Sequence, residues 1–584
     1  MRGQIGSALA YLSPPLARLL AKAGPQPRTL VWQPQPPEAG DPAAARRLSG
    51  GVALFDGHVV DLRGSSIWSV DPPSPGWSDA VHGHGWIDDA AACPDPAVWT
   101  DLSAWMWEWL SRYGGGAGPG WKPDLTARRL TRWLAHSTHL LQGQQPDKSR
   151  AFFAALGVHV RHVEWSWRRT RPGAERIEAV AGLVHALLSL EGPGPAARRA
   201  IAELGTIAES TIAPDGAIAS RNAEELVRVA GLLEWIGRSI RDSGLDVTKK
   251  QQEALARARL TALAVRHHGT ICPRFHGSGA NNANRSSRRA DPGRTRDASM
   301  AMGYIRLQSD SVSVVIDAAR PPAAPHDRTA HVSALGIELL SGCNPIVVSA
   351  GPGARTGHVH ALASRRCDAH SAIMAGDRGP GQLTLAKSGR TRVTKEIETD
   401  RAALSARGTV TGQFSSNTTG EWAIAQSTLY VARNGLTLER RLHLATGGGR
   451  LAGEDTAIAT DAEARSRVVR LFSGDAAEPC QIVSRFIVHP DIKTTPSISG
   501  RTVSLLLPDA SRWLMRTDAE WLSLEPAEYF DENRSKPRAT SAIVATAEIL
   551  EYWGRIVWSF ERIEHGKALA GADAGASQEV ERGI

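Results

Sequence analysis

The hydrophobic period of this chain changes once, near residue 300, and that change constrains the fold more than any other feature. From about residue 97 to 265 the apolar residues recur at helical spacing. Ile177, Val180, Ala181, Val184, Leu187 and Leu188 follow i, i+3, i+4, i+7, as do Leu226, Val229, Ala230, Leu233 and Ile240, while Leu130, Trp133, Leu134 and Leu141 share a third face. Gly/Pro breaks at 114–120, 192–195, 214–216 and 242–244 cut the region into helices of roughly 12–18 residues with short loops, the pattern of antiparallel helical neighbours. After Met300 the period is two. Val312, Val314 and Ile316 alternate, then Leu436, Leu438, Leu442 and Leu444 with Arg440 interrupting the apolar face, then Val503, Leu505 and Leu507. Strands separated by Gly/Asn/Asp turns predict antiparallel sheets packed face to face.

Composition sets the limits around this division. At 584 residues the chain is long enough for two to four domains, and 42% hydrophobic with 22% charged residues supports ordinary cores. No apolar run approaches the ~18 residues of a membrane-spanning helix, so no membrane insertion is expected. The N-terminus, MRGQIGSALAYLSPPLARLLAKAG, starts basic, but Pro14 and Pro15 split its apolar part, and it reads as an uncleaved leader. Five dispersed cysteines (Cys93, Cys272, Cys343, Cys367, Cys480) include no C-x-x-C pair, which predicts free thiols. Half of the net charge of +8 sits in Arg285–Arg296. That segment is either a solvated loop or an attractor for a polyanion such as an acidic polysaccharide. No nucleic-acid recognition pattern accompanies it. Thirteen of the 18 Trp precede residue 240. They can fill helix interfaces, and a few in a groove could stack on sugar rings.

Candidate chemistry concentrates in Arg328–Asp377, where His331, Arg365, Arg366 and His370 flank two apolar segments that turn at Gly342. The reading here is a strand from His331 through Glu338 and a second over Pro345–Ser349, with both histidines and both arginines lining one cleft. The stretch resembles the C-terminal β-domain of the heparinase II/III family of polysaccharide lyases. Its pattern H-G-H-A-D-A-L-S-F-E-L matches Thr329–Leu339, and the Arg and His of its R-x-x-x-A-H are read as Arg366 and His370, one residue closer together than in the pattern. Val81–Asp88 (VHGHGWID) is similar to the family's H-G-F-G-W-L segment, and Arg441–Asp455, Arg485–Asp491 and Trp521–Tyr529 extend the likeness to roughly residues 50–560.

The resemblance implies an α+β multidomain chain, an N-terminal incomplete (α/α) toroid followed by a C-terminal antiparallel β-sandwich. Its expected divisions are a poorly ordered leader (1–50), the toroid (51–276), a flexible basic linker (277–300), the β-sandwich (301–565) and a frayed tail (566–584). It also implies β-elimination on an acidic, uronate-containing glycan in the cell envelope or periplasm. The weak leader leaves the cytoplasm as the alternative.

Elimination needs a neutraliser for the carboxylate, a base and an acid. At the matching positions Glu225 stands where the family has its Tyr, Gly173–Arg176 lacks the expected Asn and His, and Thr329 replaces the first His. The candidate catalytic residues are therefore Glu225, Tyr304, His331, Arg365 and His370, with Arg221, Asn222, Trp86, His84 and Arg366 as substrate contacts. For each the competing role is structural: packing, capping or a solvated surface. No cofactor is expected. A structural zinc at His331 and His370 is the alternative, with Ser349 at the third position. The two functions in view are a polysaccharide lyase and a catalytically degenerate glycan-binding or scaffold protein on the same fold. A glycoside hydrolase would need a second carboxylate facing Glu225.

Overall fold

The computed structural model describes residues 26–36, 39–116, 118–267, 271–279, 300–309, 311–376, 379–380, 382–385, 402–405, 407–472, 480–531 and 534–563. The start of the leader, most of the 277–300 linker with Arg285–Arg296, and the 566–584 tail lie outside the described residues. Two compact units divide the chain: residues 1–219, 225–260 and 532–535 form one, and residues 220–224, 261–531 and 536–584 the other.

The first unit is helical. Its helices are α1 (Pro42–Ser49), α2 (Pro75–His82), α3 (Trp86–Ala92), α4 (Pro96–Tyr113), α5 (Pro123–Ala135), α6 (Ser137–Leu141), α7 (Pro146–Ser166), α8 (Ala174–Glu191), α9 (Pro195–Thr211), α10 (Ala223–Asp242) and α11 (Lys249–Val265). Local chemistry sets where they begin and end. α1, α2, α4, α5, α7 and α9 open on proline, whose missing N–H costs nothing in a first turn. Asp41, Ser74 and Asp95 cap α1, α2 and α4 by accepting from Ala43, Trp77 and Ala97 N–H. α4, α8, α9 and α10 end at or just before the expected Gly/Pro breaks.

α8 is buried on nearly every face and crosses α5 closely, since a methyl added at Gly182 would lie 2.6 Å from the Ala127 methyl. The second half of the leader is packed, contrary to expectation. α1 buries Ala45 and Leu48, Val31 N–H donates to Ser189 O (2.8 Å), and Trp235 Nε1 donates to Gln35 O (2.9 Å). Alanine and proline there serve a helix and an extended strap rather than a disordered lead-in.

The second unit is built on two antiparallel sheets. One runs in the order Val410–Ser416, Gly420–Ser427, Thr437–Ala445, Arg450–Ile458, Trp553–Ile563, Arg512–Thr517, Thr502–Leu506 and Lys493–Pro496. The other runs Trp521–Tyr529, Arg538–Glu548, Gln481–Val488, Asn344–Val348, Ile337–Ser341, Val312–Asp317, Tyr304–Gln308 and Met300–Ala301, with Ile373–Ala375 also paired to Gln481–Val488. Apolar faces of both sheets meet in one core that includes Ile305, Val314, Ile337, Leu438, Phe486, Trp513 and Trp558. Arg440, the residue that breaks its strand's apolar face, sits in register opposite Asp455. The pair is bidentate at 2.7 and 2.6 Å and fully buried.

One expected strand is shorter than read. Residues 331–336 form a turn in which Gly336 N–H returns to Ser333 O (2.7 Å), and the strand begins only at Ile337. Leu335, with φ +64°, is in the left-handed region and cannot continue a strand.

Candidate functional site

The strand-rich unit encloses a polar network around Asp317, the last residue of the fully buried strand Val312–Asp317. Arg221 Nη2 meets Asp317 Oδ1 at 2.5 Å and also donates to Gly303 O (2.9 Å), while Nε and Nη1 donate to the carbonyls of Met302 (3.0 Å) and Arg320 (2.8 Å). Ser333 Oγ donates to Asp317 Oδ2 (2.7 Å), and His276 Nε2 lies 3.2 Å from the same oxygen. His276 Nδ1 accepts from His331 N–H (3.1 Å), and its Nε2 sits between the Asp317 carboxylate and Arg221 Nη1 (3.1 Å), so the tautomer decides which of the two it pairs with. Burial pushes the Asp317 pKa up, but Arg221 and His276 outweigh it and hold the carboxyl well below its usual range. Arg221, His276, Met302 and Leu335 all carry left-handed backbone, with φ from +51° to +64°. Strain of this kind persists where many bonds fix the chain, as they do here.

The sequence-proposed residues of this unit fall inside or against the network. Tyr304 is buried and its hydroxyl donates to Arg221 O at 2.6 Å. Burial raises its pKa, and although the Arg221 charge opposes this, the phenol stays above its ordinary value. His331 is buried, and its ring faces the backbone N–H groups of His276 and Gly277 at 3.1 and 3.2 Å. Burial, then the neighbouring His370 and His276, push its pKa well down.

His370 lies with its ring centroid 4.7 Å from that of His331, and among the described residues neither ring nitrogen has a partner in good hydrogen-bond geometry. Burial lowers its pKa to about 3. Arg365 is buried and donates to the carbonyls of Ala330 (2.9 Å) and Asp327 (2.8 Å). Arg366 is the one outside. It is exposed and forks onto Asp368 at 3.1 and 3.0 Å. Asn222 is half-buried, its backbone N–H directed to Ser220 Oγ (3.4 Å). The expected cleft of two histidines and two arginines is thus an interior cluster of His331, His370 and Arg365, without Arg366.

The helical unit holds the remaining candidates. Glu225 Oε1 accepts Ala174 N–H (3.2 Å) at the start of α8, a capping role. His84 and Trp86 are buried. Trp86 Nε1 donates to Val81 O (3.0 Å), and His84 Nδ1 accepts from Trp133 Nε1 (2.9 Å). They belong to an aromatic cluster around Arg129, whose guanidinium stacks 3.9 Å from the Trp109 ring centroid. Arg129 also donates to His159 Nε2 (3.0 Å) and to the carbonyls of His82 and Gly120 (both 2.9 Å).

The zinc alternative can be tested on donor chemistry. His331 and His370 supply two imidazoles, but the third position is Ser349, whose buried hydroxyl has no hydrogen-bond partner among the described residues. No group of three or more His, Cys, Asp or Glu capable of holding a metal occurs among the described residues. The donor set does not fit zinc, which requires a third anionic or imidazole ligand.

Residues that sequence reasoning passed over carry much of the order. Asp317 and Glu338 are acids within apolar strands, and that mismatch was the available signal. Glu338 Oε1 accepts from Arg274 N–H (3.0 Å) and Ser349 N–H (3.2 Å). Arg274 stacks 4.3 Å from the Tyr529 ring centroid and donates to the carbonyls of Gly279 and Phe530.

Comparison with known proteins gives three findings. Residues 291–559 match the family model described as "Heparinase II/III-like, C-terminal". The chain is 25% identical over 563 residues to FtsZ-localized protein C of Caulobacter vibrioides, covering 92% of this chain and 91% of that protein. Among solved structures, heparinase III matches with a TM-score of 0.65 at 10% identity over 94% of this chain and 89% of that one. The heparan sulfate lyase HepC from Pedobacter heparinus matches at 0.55 and 12% over 95% and 88%. These likenesses show the fold, a helical toroid followed in sequence by antiparallel sheets.

Proposed function

We propose that this chain, whose residues 291–559 match the heparinase II/III-like C-terminal domain, works by binding rather than by β-elimination, as a scaffold at sites where FtsZ gathers. The observation that carries the reading is the state of Tyr304. Elimination requires a group that gives and takes a proton beside the sugar. The Tyr304 hydroxyl is instead committed to a backbone carbonyl in the interior, with a pKa moved away from the useful range. His331 and His370 are likewise buried and neutral. Glu225, at the position of the family's Tyr, spends its carboxylate on a helix start.

FtsZ enters through the relative whose name places it with that protein, and which aligns along nearly the whole chain.

The second reading, a lyase acting on an acidic polysaccharide, is favoured by the likeness to heparinase III along nearly the whole chain. One pair of measurements separates them. Uronate polymers incubated with the purified chain are followed by the ultraviolet absorbance of an unsaturated product, and a fluorescent fusion is imaged with labelled FtsZ in dividing cells. Binding predicts no absorbance change and coincident fluorescence. Steady product formation that Tyr304→Phe abolishes, with fluorescence elsewhere, would overturn it.

A further inference from the structure

The helical unit carries a cavity of about 550 Å³ that none of the preceding chemistry uses. Two helices supply most of its lining, with Gln26 of the leader's extended segment beside them. α4 and its cap contribute Trp107, Leu110 and Gly114, spaced i, i+3, i+7, and α7 contributes Ala151, Ala155 and Val158, spaced i, i+4, i+7. Both walls therefore present one helical stripe to the same channel, the arrangement two helices offer to a third. From Ala151 to Val158 the floor runs seven residues, about 10 Å or two turns. The small side chains along α7 let a visiting helix approach to an axial separation of about 8 Å.

Charge narrows the occupant. Lys148, exposed at the mouth, holds its ammonium 5.5 Å from the Trp107 ring centroid and has no carboxylate partner among the described residues. The chain's own first 25 residues contain Arg2, Arg18 and Lys22 and no acid, so they do not complement that ammonium.

We propose that this channel docks an amphipathic helix of a partner protein, apolar on the buried face and carrying a carboxylate toward Lys148. The inference goes beyond the binding reading by assigning a surface and the chemistry of what it takes. It relies on that reading only for the existence of a partner, and its test involves neither FtsZ nor a glycan.

The probe is a fluorescein-labelled helical peptide of about 18 residues, five turns, with Leu at i, i+3, i+4, i+7 and Glu on the flanks. A twin carries Lys in place of Glu. Anisotropy with the full chain is expected to show the Glu peptide binding at least tenfold tighter than its twin. Lys148→Glu should reverse that order, and Ala151→Trp, which fills the channel from an exposed position, should abolish binding of both while far-ultraviolet dichroism and melting stay as in the parent. Equal binding of the two peptides, or binding unmoved by both variants, would overturn the proposal. So would light scattering that shows a dimer broken by Ala151→Trp, since a second copy would then fill the channel.

Discussion

Arg221, Arg440 and Arg129 are buried guanidiniums that satisfy their charge in different ways. Arg221 and Arg440 have carboxylates, Asp317 and Asp455, while Arg129 rests on the faces of Trp109 and Trp121 and on backbone carbonyls. Removing one member of a buried pair strands the other's charge. Asp317→Ala should therefore cost about 3–5 kcal/mol in urea unfolding, and the double variant Asp317→Ala/Arg221→Met should cost less than the sum of its two single changes.

Buried imidazoles make the chain acid-sensitive. Burial lowers the pKa of His82 and His489 to about 4 and that of His185 and His370 to about 3. In the unfolded chain these rings protonate near the ordinary value of about 6.5. As pH falls, the unfolded state takes up protons first, so stability is complete above that value and drains between it and the folded values. Each ring then contributes a loss of about 2 kcal/mol by pH 5. The urea midpoint at pH 5 should lie clearly below that at pH 7, and His370→Asn should flatten part of the slope.

Among the elements, helix boundaries were legible because proline and glycine act locally. The prolines at 42, 75, 96, 123, 146 and 195 each open a helix, and the breaks near 114, 192, 214 and 242 each close one. The Asp95 cap of α4 illustrates how much such a signal is worth. Asp95→Ala should lower stability by about 1 kcal/mol, read as a small fall in thermal midpoint with no change in dichroism shape. Strand alternation around Arg440 was equally plain, but the partner of the charge that interrupts it, Asp455, was visible only in the structure. The candidate site was less legible. Tyr304 ends on a carbonyl 83 residues away, and His331 lies on a turn shaped by left-handed Leu335 rather than on a strand. Periodicity carries no information about either, since both depend on which distant segments close over the residue. Hence the histidines and arginines read as cleft residues from spacing alone.

At the scale of the molecule, the change of period near residue 300 foretold the change from helices to sheets, and the compact units divide at 260/261, with short exchanges at 220–224 and 532–535 that no local pattern announces. The net charge of +8 acts over the whole surface. It should retain the chain on a sulfated-polysaccharide column at low salt and release it as ionic strength nears about 0.15 M, where the screening length is about 8 Å. Retention that survives that salt would mark a specific glycan site rather than long-range attraction.

The cysteines, finally, offer a practical handle. Cys93, Cys272, Cys367 and Cys480 are buried, and burial lifts the thiols of Cys367 and Cys480 to about 12, whereas Cys343 is exposed in the tight turn joining Ile337–Ser341 to Asn344–Val348. A maleimide dye should therefore label the native protein at a single, structurally known point without mutagenesis. The unmodified molecule thus provides its own reporter position for single-molecule or energy-transfer work.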